Sequence, residues 1–182
     1  PVIGALLIYV IGKTDQMARL IALLTALISL VLTLFVYAQF STTTYGFQFI
    51  ERYQWIESMN IAYFVAVDGL SLPLLLLTSL LGLSAVLASW KVQDRVREYF
   101  IWLLLLQTAV AGVFVSLDFI LFFIFWELEL LPMFFLISKW GSGRKDYSAM
   151  KFVIYTFLGS AFMLAAILAL YLSFPEGDRT FD

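Results

Sequence analysis

Glu127 and Glu129 sit in an otherwise apolar run, Leu-Phe-Phe-Ile-Phe-Trp-Glu-Leu-Glu-Leu-Leu-Pro, that spans residues 121–132. The wider stretch from Phe119 to Ser138 is long enough to cross a bilayer as a helix. A carboxylate in the middle of such a helix costs about 2.5–3.5 kcal/mol on insertion scales. A segment that served only as an anchor would carry leucine there. The chemistry this pattern suits is the handling of protons or ions. Desolvation favours the protonated form of a carboxyl and a nearby cation favours the ionised form, so a cation that approaches and withdraws can unload and load a proton.

The two acids are two residues apart, about 200° around a helix, and face one cavity only if the helix is distorted. Pro132 is the residue that can distort it, because its ring removes the hydrogen bond to the Leu128 carbonyl between the two acids. In lipid that carbonyl needs another partner or water. Glu127 and Glu129 are therefore the candidate proton carriers, with Glu127 the stronger. The alternative reading is a fixed ion pair that locks two helices together.

Lys151 lies about one turn inside the sixth apolar segment. It is either a proton-path residue below Glu127 or a side chain that snorkels to the membrane surface. Gln107, Thr156 and Ser160 are mid-span polar groups that face neighbours or water, and hydrogen bonds between helices explain them equally well. Ala161, Ala165 and Ala169 form a small-residue stripe read as packing surface. Asp68 and Asp118 precede helices and suit N-caps.

The elements that must position these groups follow from composition. The chain is 63% hydrophobic and only 13% charged, with a mean hydropathy of +0.96. A soluble domain is about 45–50% apolar. The fold class is all-α, a polytopic transmembrane helix bundle in a single membrane domain over residues 1–182. Apolar segments fall at about 2–12, 20–40, 69–90, 99–115, 119–138 and 148–174. They are continuous rather than alternating, which excludes a strand barrel. The first is short. The start at Pro1 and the end at Asp182 read as those of a piece of a longer protein; no cleaved signal peptide is visible.

The connecting segments sort by charge. Lys13, Arg19, Lys91, Arg95, Arg97, Lys139, Arg144, Lys145 and Lys151, nine of the 11 basic residues, border the first, third and fifth. Glu51, Glu57, Asp68, Asp118, Glu176, Asp178 and Asp182 lie in the others, with only Arg52 and Arg179. The positive-inside rule puts the odd connections in the cytoplasm and both chain ends outside. The half-apolar stretch from Ser41 to Val67 reads as a segment lying on the outer membrane face. Trp90, Trp140, Tyr99 and Tyr147 read as interfacial anchors.

There is no cysteine and no histidine, which excludes thiolate-bound iron–sulfur clusters, haem held by His or Cys, and most zinc chemistry on this chain. No glycine-rich nucleotide-binding motif is present, and no basic cluster interleaved with aromatics supports nucleic-acid binding.

Three stretches carry a family resemblance. Phe-Trp-Glu-Leu-Glu-Leu-Leu-Pro at 125–132, Lys139-Trp140-Gly141, and Ala-Met-Lys-Phe-Val-Ile-Tyr-Thr at 149–156 resemble the fifth and sixth helices of the antiporter-like membrane subunits of complex I, or NDH-1. The type is M, also called chain 4, or the D type in cyanobacterial and plastid enzymes. Val-Asp-Gly-Leu-Ser-Leu-Pro at 67–73 is similar to the start of the third helix of that type. The resemblance implies a subunit of about fourteen helices with two inverted repeats, each forming half of a proton path. It implies that Glu127 pairs with a lysine on a seventh helix, beyond Asp182, and that Lys151 takes the place of a basic residue at the start of the sixth. It further implies a subunit of a proton-pumping NAD(P)H or ferredoxin:quinone oxidoreductase, in a bacterial inner or thylakoid membrane. Flavin, iron–sulfur clusters and quinone are then expected in partner subunits, with no redox site on this chain, and its own partners are other membrane subunits and the lipid bilayer. The alternatives are a D-type component of a multisubunit sodium/proton antiporter and a membrane scaffold without transport.

Overall fold

The structure, a computed structural model, describes all residues except 42, 44, 45, 57, 58 and 176–178. Glu57, Glu176 and Asp178, counted above among the acidic connections, lie outside the described residues.

Among the described residues six α-helices follow in order: α1 Val2–Ile11, α2 Asp15–Gln39, α3 Ser71–Ala88, α4 Val96–Val115, α5 Phe119–Trp140 and α6 Lys145–Ser173. A short 3₁₀ turn, Ser89–Lys91, extends α3. The last five are long and apolar enough to span a bilayer, and α1 is a shorter apolar helix. The protein is an integral, multi-pass membrane protein. Several helices begin three to five residues before the hydrophobic run, because a polar first turn is still helical. Thr14 caps α2 by accepting from the Met17 N–H at 3.3 Å, so the charged turn Asp15–Arg19 belongs to the helix.

The one departure from an all-helical reading lies in the stretch between α2 and α3. There strands β1 (Gln48–Ile56) and β2 (Ile61–Val67) pair antiparallel as a hairpin. The β-branched and aromatic content of Ile61–Val67 favours a strand, and those side chains gain cover from the helix ends. Ile61, Ala62, Ala66 and Val67 are buried, whereas β1 is exposed along almost its whole length.

Small residues let the first helices close up. Ala18, Ala22 and Ala26 are fully buried on one face of α2 and pack with Ala5, Ile8, Val86, Val96, Phe100 and Leu104. The other alanine stripe is not covered by these six helices: Ala161, Ala165 and Ala169 are exposed.

The sorting of connections is visible in the contacts. At the basic end, the Arg19 guanidinium donates to the Val92 carbonyl at 2.9 Å and the Trp140 indole N–H to the Asp94 carbonyl at 2.8 Å. At the other end, Leu117 N–H donates to the Phe64 carbonyl at 2.9 Å and Phe119 N–H to the Phe181 carbonyl at 2.8 Å. Arg52 pairs there with Asp182. The hairpin, the α4–α5 corner and the C-terminal residues thus form one cap opposite the basic connections.

Candidate functional site

α5 carries the candidate site, and both of its ends are tied down. At its N-terminus Asp118 is fully buried. Its Oδ1 accepts from the N–H groups of Ile120 at 2.8 Å and Leu121 at 3.0 Å, the capping role expected of it. At its C-terminus Trp140 bonds Asp94 and packs edge-on against Tyr99, with ring centroids 5.1 Å apart.

The register of α5 against α4 rests on two contacts. The Trp102 and Phe135 rings stack at 4.4 Å. At Gly112 a Cβ would lie 2.2 Å from the Phe125 ring, so only glycine admits that side chain. The helix itself runs unbroken from Phe119 to Trp140, with Pro132 inside it and buried.

Glu127 is partly buried, and its Oε1 is closed off from solvent with no hydrogen-bond partner among the described residues. A carboxylate oxygen in that state is costly to keep ionised without a cation or a donor. Glu129 is half-buried. The ion pairs among the described residues are Arg52–Asp182 and Arg95–Glu98, so neither glutamate is paired with a cation among them.

Lys151 is exposed on α6, with its Nζ over the Tyr155 ring at 5.8 Å. It does not meet Glu127. Glu127 stands thirteen residues, about 20 Å, from the basic end of its helix, and Lys151 six residues, about 9 Å, from that end of α6. Lys151 is therefore roughly two turns nearer the basic surface.

The other mid-span polar groups divide. Thr156 and Ser160 donate back to their own helix, to the Phe152 carbonyl at 2.6 Å and the Phe157 carbonyl at 3.1 Å. Gln107 is 6% exposed and packs its amide on Gly82, and its Nε2 has no partner among the described residues. No group of three or more His, Cys, Asp or Glu that could hold a metal occurs among the described residues.

Residues 6–113 match the family described as NADH-ubiquinone oxidoreductase chain 4, amino terminus. The chain belongs to that family. Residues 116–178, which include α5, match the transmembrane family described as NADH:quinone oxidoreductase/Mrp antiporter. The chain is 41% identical over 181 residues to NAD(P)H-quinone oxidoreductase chain 4 of Picosynechococcus sp., covering 98% of this chain and 33% of that protein. It is 40% identical over 173 residues to the F(420)H(2) dehydrogenase subunit M of Methanosarcina mazei, covering 93% of this chain and 35% of that one. It thus spans about a third of the length of these relatives. Among solved structures, a chain of respiratory complex I from Thermus thermophilus superposes with a TM-score of 0.83 at 25% identity. That match covers 100% of this chain and 36% of the Thermus chain.

Sequence reasoning missed the cap. Ala62 bonds the N-cap of α5 and Phe64 the residue before it, and the strand-like composition of Ile61–Val67 was the signal that could have found them.

Proposed function

We propose that this protein works as a proton-translocating membrane subunit of a quinone oxidoreductase complex, and that Glu127 is the group that loads and unloads the proton. The observation that carries the reading is the occluded Glu127 Oε1, which has neither donor nor cation among the described residues. An evolved bilayer span retains such a group when its charge state must change. Once protonated, the carboxyl is a neutral donor that sits in the span at modest cost. An ammonium brought close, such as the lysine that the family resemblance implies, draws it to the carboxylate and releases the proton. Pro132 leaves the Leu128 carbonyl without its helical donor, one residue from Glu127, which favours a water molecule at that depth.

Glu129 contributes less, and Lys151 serves nearer the basic surface, which the charge sorting assigns to the cytoplasm. Electron transfer from a reduced cofactor to quinone, with its flavin and iron–sulfur clusters, belongs to partner subunits. The sodium/proton antiporter reading draws on the shared name of the family matched by residues 116–178. The match of residues 6–113 to chain 4 favours the quinone oxidoreductase.

The test uses the full-length protein in its complex, reconstituted into vesicles. Glu127→Gln keeps volume and hydrogen bonding but cannot ionise. It is expected to remove most of the proton uptake, at least about tenfold, a barrier change of about 1.4 kcal/mol. Glu129→Gln is expected to do less harm. Normal uptake by an assembled Glu127→Gln complex refutes the proposal, and loss of assembly as the sole defect favours the scaffold.

A further inference from the structure

Capping α5 requires one oxygen of Asp118, and Oδ1 does it. The other oxygen, Oδ2, accepts from the Ala62 N–H of β2 at 3.0 Å, across 56 residues of sequence. Both partners are completely buried. Two further links converge on the same corner: an antiparallel bridge between Val65 and Ser116, which includes the Leu117 N–H bond to the Phe64 carbonyl, and the Phe119 N–H bond to the Phe181 carbonyl. The corner thus meets the hairpin at a single bridged pair, and among the described residues Asp118 is the one side chain that bonds both β2 and α5.

We infer that Asp118 is a positioning residue that holds the outer hairpin to the first turn of α5 and thereby fixes the depth and rotation of Glu127. This rests on the reading of Glu127 as the carrier. Glu127 lies nine residues along the helix from Asp118, about 13 Å at the ordinary rise. The helical ladder between them is free of proline, so that stretch moves as a rod. Below it Pro132 removes one ladder bond, which loosens the connection to the tethered C-terminal end at Trp140. The place of Glu127 is then set from the outer end, through Asp118.

Asparagine at 118 separates capping from linkage. Its single carbonyl oxygen can keep the cap, and its amide N–H₂ then faces the Ala62 N–H, donor against donor. The buried Ala62 N–H is left without an acceptor, which shifts an equilibrium between linked and unlinked arrangements about tenfold.

The experiment uses the full-length protein in its purified complex, in vesicles, and reads protons taken up per quinone reduced, with assembly followed on a native gel. In assembled Asp118→Asn complex the ratio is expected to fall at least about twofold. Thr33→Val, which removes the 2.8 Å hydrogen bond to Ser79 between α2 and α3, is the control for a purely structural loss and is expected to leave the ratio unchanged. Bridged strand residues stand at a spacing a disulfide can close. The chain has no cysteine of its own. The pair Val65→Cys and Ser116→Cys, oxidised, is therefore expected to restore the ratio in Asp118→Asn, and reduction to abolish the rescue. A normal ratio in assembled Asp118→Asn overturns the inference. So does a disulfide that restores assembly without restoring the ratio, since the loss then follows the charge and not the link. If Asp118→Asn alone does not assemble, the disulfide-bearing variant decides the matter: a restored ratio supports the link, and a ratio that stays low overturns it. Glu127→Gln runs in parallel: an unchanged ratio there sinks the carrier reading whatever Asp118 does.

Discussion

Two carboxylates on one helix, nine positions apart, meet opposite treatment. Asp118 is sealed from water and accepts three backbone N–H bonds, two from α5 and one from β2. Glu127 has an oxygen equally sealed from water and no partner for it among the described residues. Burial alone therefore does not separate structure from function. Under the proposed function satisfaction does: a buried acid with its acceptors engaged holds the fold, and one left unmatched is available for chemistry.

Stability should diverge most sharply between the two. Asp118→Asn leaves the buried Ala62 N–H without an acceptor, at a cost of about 1–3 kcal/mol. Glu127→Gln, which breaks no bond among the described residues, should cost less than about 1 kcal/mol. Thermal unfolding of the two variants in detergent measures the difference, and equal losses would erase the contrast.

Asp68 supplies a milder version of the satisfied case at the start of α3. Its carboxylate accepts from the N–H groups of Ser71 at 2.6 Å and Leu70 at 3.1 Å, and the Ser71 hydroxyl accepts from the Asp68 N–H at 3.0 Å. The Ser71 backbone N–H is the main reason its carboxyl is held below the usual carboxylate range, against a smaller opposing effect of burial. A depressed folded-state pKa stabilises above the unfolded value and loses that contribution as pH falls through the folded value. Asp68→Ala should therefore cost about 1 kcal/mol at neutral pH, typical of a lost cap. The gap to wild type should narrow once the pH drops below about 4, the unperturbed aspartate value. A gap that stays constant with pH would mean that the cap does not depend on charge.

Topology gives the smallest expected effect on function and a clean yes or no. The hairpin cap and the basic connections should lie on opposite sides of the membrane. Single cysteines at Ser142 and Thr180 should be labelled from opposite faces, and labelling of both from one face would break the assignment.

The bundle itself was legible in the sequence because hydrophobic length and loop charge are local properties. Glu127 and Glu129 were legible as candidates for the same reason, as two acids in an apolar span. The hairpin was half-legible: Ile61–Val67 has the composition of a strand, but β1 mixes Glu51, Arg52 and Gln54 with aromatics in no clean alternation. The contact between Asp118 and Ala62 was not legible, since an N-cap aspartate looks the same whether or not its second oxygen reaches a strand. The alanine stripes show the same limit. Ala18, Ala22 and Ala26 are buried and Ala161, Ala165 and Ala169 exposed, though both repeat at four residues.

The central claim is that Glu127 changes protonation during turnover while Asp118 does not. Infrared difference spectroscopy of the full complex, before and after quinone reduction, reads this directly through the carbonyl stretch of a protonated carboxyl. The account predicts a difference band that is lost in Glu127→Gln and that in Asp118→Asn weakens only in step with the proton ratio. A band that survives Glu127→Gln unchanged, or that vanishes in Asp118→Asn alone, would contradict it.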